Sequence, residues 1–258
     1  MASLKDELYM GNSLLHQLDP RVKLVSCTFF SIVMAICSTW QGLVLGLGLA
    51  LTWTVLARLP IKHVLARLIM VNGLIAILWL ILPFAVRGQA LFSVGPFTAT
   101  KQGLLYTLHI TMRSNAIVLA LLSLLATSSL FSLGHAMGKL GMPGKIVQLL
   151  LFAYRYIHVI QMEYRRLSNA IKIRGFQPKT NLHTYKTYAY LIGMLLVKSY
   201  DRAERIRQAM ICRGFCGRYY DLSEYRLKPR DMVLGICMIF GTLLIAWIEW
   251  TTWTRSFI

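Results

Sequence analysis

Two stretches of this 258-residue chain close in the same way: "EYRRLSNAIKIRGF" ends at Phe176 and "RAERIRQAMICRGF" ends at Phe215. A shift of 39 residues superposes Arg166 on Arg205, Leu167 on Ile206, Ala170 on Ala209, and Arg174-Gly175-Phe176 on Arg213-Gly214-Phe215. The guanidinium of an arginine is a rigid fork of donors suited to a carboxylate in a partner groove. Gly175 and Gly214 sit where a helix is ended by a residue of positive φ, so each motif reads as a helix C-cap that presents the preceding arginine. One such ending needs no partner, because a cation in the last turn already complements the helix dipole. Two in register point to two equivalent receptors.

The remaining candidates for chemistry are thinner. Six histidines, His16, His63, His109, His135, His158 and His183, are scattered with no HxH or HxxxH pair to place two imidazoles on one face, so no metal site is expected in this chain. The five cysteines, Cys27, Cys37, Cys212, Cys216 and Cys237, form no paired CxxC pattern and read as free thiols. Asp201 and Glu204 share a helix with Arg202 and Arg205, while Asp221 and Glu224 follow in a loop, so no acid pair faces a membrane span to hold Mg²⁺ for an integral-membrane transferase. No P-loop of the GxxxxGK[ST] kind occurs, so the chain is not expected to hydrolyse ATP.

The elements that must position the two arginines follow from hydropathy and charge. The chain is 56% hydrophobic and 15% charged, against about 25% charged in soluble domains, and its apolar residues lie in long runs. Five spans are predicted: residues 24–39, 43–57, 68–86, 103–126 and 232–250. The turn of the first pair is expected at Trp40-Gln41-Gly42, and Arg58, Lys62 and Arg67 are expected in a loop between the second and third. Pro83 falls near the end of the third span; His109 and Arg113 in the fourth should face neighbouring helices. Residues 87–101 read as a sparsely charged outer loop. Residues 133–230 hold 18 of the 28 Lys and Arg and 5 of the 10 acids, so this block carries most of the net charge of +18 and is cytoplasmic by the positive-inside rule. Nucleic acid is not needed to explain that charge. The apolar run 188–197 is too short to cross and reads as a helix at or under the membrane. Ile157, Ile160, Tyr164, Leu167 and Ile171, and then Ala203, Ile206 and Met210, give apolar stripes at helical spacing. Parity places the N-terminus inside. No signal peptide is expected before Lys23, and insertion should use the first span. The fold expected is thus an all-α integral membrane protein: a four-span region over 1–130, a basic cytoplasmic helical region over 131–230, and a last span and tail over 231–258. Glu249 is the one carboxylate within the five runs and lies at an edge, which argues against a stand-alone ion-coupled carrier.

At "IRG" (Ile173 to Gly175) and "CRG" (Cys212 to Gly214) the chain resembles the T component of energy-coupling-factor (ECF) transporters, whose mark is two Xaa-Arg-Gly motifs, commonly Ala-Arg-Gly, ending two cytoplasmic coupling helices. The first position departs from Ala in both copies. "LHQLDPRVKL" from Leu15, "LGMP" from Leu140 and "LLLFAYRYI" before the first coupling helix are similar to the family's pattern as well. The resemblance implies a non-catalytic subunit in a bacterial cell membrane, docked through Arg174 and Arg213 on two ABC-type ATPases that bind the ATP, and touching a membrane-embedded substrate-binding subunit. It implies no cofactor in this chain. The opening segment and length are most similar to T components serving cobalt or nickel uptake; service to a vitamin such as biotin, or to several substrate subunits, is the alternative.

Overall fold

The computed structural model describes residue 13 and residues 15–86, 90–94, 97–216 and 229–255. Asp221 and Glu224 lie outside the described residues. Among the described residues there are eight helices: α1 (Pro20–Ile36), α2 (Trp40–Ala57), α3 (Ile61–Ala85), α4 (Lys101–Leu124), α5 (Leu130–Lys139), α6 (Gly144–Ile173), α7 (Leu182–Cys212) and α8 (Pro229–Arg255). Between α3 and α4 the expected outer loop contains a short antiparallel hairpin, β1 (Ala90–Val94) with β2 (Phe97–Thr100). The residues divide into two compact units: 1–141 with 226–258, and 142–225.

In the first unit α2, α3, α4 and α8 are long and apolar enough to cross a bilayer. The first expected span, α1, has 17 residues, about 25 Å of helix, and falls short of the ~30 Å hydrocarbon core. It is bounded by Pro20 and by the Cys37-Ser38-Thr39 turn, and it packs on α4, α5 and α8. That turn precedes the one expected at Trp40-Gln41-Gly42, because Thr39 is the N-cap of α2 and its hydroxyl accepts from the Gly42 amide. Similarly, α3 starts at Ile61, so Lys62 and Arg67 lie on its first two turns instead of in a loop; Pro60 is its N-cap residue. At 25 residues, α3 is about 37 Å long, enough for a polar end to emerge from the core.

Phe30, Met34, Leu43, Trp53, Leu119, Leu124, Met238 and Ile245 form the centre of this unit, with the rings of Phe30 and Trp53 edge to face at 5.0 Å. By contrast α3 buries only Ile75 and Pro83 and leaves Ile69, Met70, Leu74 and Leu80 uncovered. Such a continuous apolar face is what hydrocarbon chains cover. Orphan carbonyls at the C-terminal end of α3 find a partner: Thr100 Oγ1 donates to Val86 O at 2.7 Å and to Pro83 O at 3.3 Å.

The polar residues of the spans are spent on helix joints. Glu249 on α8 accepts from Ser38 N (2.9 Å), Ser38 Oγ (2.7 Å), Thr39 N (3.2 Å), Thr39 Oγ1 (2.6 Å) and Cys37 Sγ (3.2 Å). Arg113 donates to the Cys37 carbonyl from α4. His109 donates from Nδ1 to Leu105 O at 2.8 Å and packs on the Trp40 ring. All three contacts converge on one turn.

Candidate functional site

The second unit consists of α6 and α7, of 30 and 31 residues, each about 45 Å long. The run 188–197, expected as a separate surface helix, is an internal part of α7: Asn181 stands at the N-cap and nothing between Leu182 and Cys212 breaks the backbone. Length of an apolar run measures burial in lipid, whereas helix continuity depends on the absence of breakers, so hydropathy alone divided one element in two.

The two ends carrying the repeated motif are the same structure. At the end of α6, Phe176 N donates to Ile171 O (3.3 Å) and Gly175 N to Lys172 O (3.0 Å). At the end of α7, Phe215 N donates to Met210 O (3.1 Å) and Gly214 N to Ile211 O (2.9 Å). These six-to-one and five-to-two bonds define a Schellman motif. Gly175 and Gly214 take φ of 81° and 77°, the left-handed conformation that the motif demands. The preceding arginines are the C-cap residues, Arg174 at φ −76°, ψ 11° and Arg213 at φ −89°, ψ 11°. After the turn each phenylalanine returns to protein. Phe176 packs on Tyr188 and His183, with ring centroids 5.9 and 6.3 Å away, and Phe215 is half-buried beside Met210 and Phe152.

Arg174 and Arg213 are both exposed, and neither guanidinium has a hydrogen-bond or ion-pair partner among the described residues. Ile173 is 87% exposed, and Cys212, Gly175 and Gly214 are exposed with it. Each arginine therefore stands with an uncovered neighbour at the tip of a long helix. The structure does not bring the two tips together. The two helices approach at Glu163 and Lys198, which form an ion pair. The Arg174 end and the start of α7 bound one groove of about 850 Å³, and the start of α6 and the Arg213 end bound another of about 400 Å³. Arg174 and Arg213 thus lie on opposite sides of the crossing, roughly 16 and 22 Å along their helices from it.

Of the expected apolar stripes, Leu167, Ile171, Ile206 and Met210 are half-buried, whereas Ile157, Ile160, Tyr164 and Ala203 are exposed. The half-buried members line the two grooves, Leu167 and Ile171 one and Ile206 and Met210 the other. Sequence reasoning missed Glu163 and Lys198. The available signal was that Glu163 is the one acid in all of α6. It also missed Lys23, 1% exposed, whose ammonium donates to Ser128 Oγ at 2.8 Å and Thr127 Oγ1 at 3.4 Å, tying α1 to the end of α4. Lys23 falls inside "LHQLDPRVKL", and its burial gives that segment a packing role. Among the described residues no three of His, Cys, Asp and Glu gather as a metal site.

Long apolar helices with lipid-type exposure, joined in one chain to a basic helix pair with matched arginine tips, define a multi-pass membrane protein. The profile of the family described as CbiQ, cobalt transport protein, matches residues 11–222, and the chain belongs to that family. It is 30% identical to the energy-coupling factor transporter transmembrane protein EcfT of Leuconostoc gelidum subsp. gasicomitatum, over 95% of this chain and 96% of that one. The proteins of the same name from Acidaminococcus fermentans and Brevibacillus brevis are 24% and 26% identical over 95% and 94% of this chain, and 96% of each relative is covered. The chain is thus a T component of the ECF type, a non-catalytic transporter subunit.

Proposed function

We propose that this chain couples ATP hydrolysis by two ABC-type ATPases to a membrane-embedded substrate-binding subunit, with Arg174 and Arg213 each entering a groove on one ATPase. The observation that carries this reading is the pair of equivalent Schellman ends presenting exposed arginines on opposite arms of one helix crossing. Two like tips set apart suit two like receptors, and a charge-assisted fork to a carboxylate suits each tip. Ile173, Gly175, Cys212 and Gly214 shape the tips. ATP is held by the ATPases and cargo by the substrate subunit, so this chain itself holds no cofactor. The half-covered stripes of α6 and α7 carry the ATPase motion onward by sliding of packed helices.

The basic block sets orientation: the unit 142–225 and the N-terminus face the cytoplasm of a bacterial cell, and the spans lie in its cell membrane. The cargo proposed is cobalt or nickel; the family description, cobalt transport protein, supports the first. Replacing Arg174 and Arg213 together by Glu is expected to abolish co-purification with the ATPases while membrane insertion persists, with milder effects from each single change. Full assembly of the double variant would sink the docking reading. Metal analysis of the intact purified complex tests the cargo: bound vitamin and no cobalt or nickel would replace it.

A further inference from the structure

The crossing of α6 and α7 is held by an unusual distribution of charge. Glu163 is the only acid on α6, and its side chain is 13% exposed. Lys198 on α7 donates to its Oε1, Arg166 approaches its Oε2 at 3.8 Å, and Arg202 borders the same groove one turn beyond Lys198. Both carboxylate oxygens therefore face cations, with one cation drawn from each helix. Open grooves lie on either side of this point, one toward the Arg174 end and one toward the Arg213 end.

We propose that Glu163 is a positioning residue that, through Lys198, fixes the point and angle at which α6 and α7 cross and thereby the separation of the Arg174 and Arg213 tips. The functional importance of that separation rests on the docking reading above; the positioning itself does not. The lever is long. With Arg213 roughly 22 Å from the crossing, a change of about 10° in the angle moves that tip by about 4 Å. Slippage of α6 by one residue shifts the acid about 1.5 Å along the axis and turns it about 100° around it, out of reach of Lys198. An apolar contact tolerates such slippage; a charged pair at a single place does not.

The test uses the full-length chain in detergent, with spin labels at positions 173 and 212 and the other cysteines replaced by serine. Pulsed dipolar spectroscopy is expected to give one narrow distance for the parent. Glu163→Gln, Lys198→Gln and the double change should each shift or broaden it by several ångströms, at unchanged helix content. Since one bond is removed in all three, the double variant should be no worse than either single one. Lys198 is 40% exposed, so its substitution keeps the test available where Glu163→Gln fails to fold. A parent-like distance in either single variant, or additive broadening in the double one, overturns the proposal. Co-purification with the ATPases, read in parallel, separates the two claims: altered distance with parent-like binding leaves the positioning role intact and removes its bearing on docking.

Discussion

Gly175 and Gly214 are fixed by their backbones and not by their surroundings. A Cβ added at either position meets no atom within 4 Å, yet both stand at positive φ. The cost of Ala there is conformational, about 1–2 kcal/mol for each left-handed residue. Gly175→Ala and Gly214→Ala are therefore expected to loosen the final turn, seen as faster hydrogen exchange at the Phe176 and Phe215 amides that close the two motifs. Asn at the same positions should be milder, because it tolerates the left-handed conformation. Unchanged exchange in the Ala variants would mean that the turns are held by Phe packing instead. The two helix ends were legible in advance: an Arg-Gly-Phe repeated in register predicts a paired C-cap from local chemistry alone. Glu163 and Lys198 were not, since 35 residues separate them and only the crossing of two helices brings them together.

At the scale of elements, long apolar helices were readable and their edges less so. α2, α3, α4 and α8 follow from hydropathy, but the turn before Trp40 and the start of α3 at Ile61 were set by a capping threonine and a proline that hydropathy does not weigh. The α6 and α7 pair differs again, because the ion pair at its crossing depends on pH. The hydrogen bond from Lys198 holds the Glu163 carboxyl below the usual carboxylate range; burial opposes this, and the charges of Lys198, Arg166 and Arg202 reinforce it. A depressed value in the folded chain means that the contribution is complete above the ordinary carboxylate pKa and lost as pH falls through the folded one. From pH 7 to about 5 the crossing should hold constant, and below about 4 it should loosen. Hydrogen exchange along α6 and α7 over that range is the measurement. Loosening between pH 5 and 7 would contradict the assignment, since no carboxylate so depressed titrates there.

For the whole molecule the decisive question is whether a chain with so many spans moves ions on its own account. Glu249 is the residue on which the two answers separate. It is the carboxylate of α8 near the end of the span, and the structure commits it to five donors on the turn between α1 and α2. A carrier acid needs to release and take up a proton along a path, whereas a carboxylate surrounded by hydroxyls and amides that already donate to it acts as a clasp between the last helix and the first two. Glu249→Gln converts one acceptor into a donor facing other donors. Hydrogen bonds to charged groups contribute about 1.5–3 kcal/mol, and an unsatisfied partner left behind costs a similar amount. The variant is therefore expected to unfold at a lower temperature in detergent by an amount equivalent to about 2 kcal/mol, while transport by the assembled complex at permissive temperature continues. The opposite pattern, unchanged unfolding with transport abolished, would make Glu249 part of a proton path and the chain a carrier in its own right. Driving force supplied by partner ATPases requires the first pattern, because a subunit that only transmits motion needs its spans held together and no titrating group within them.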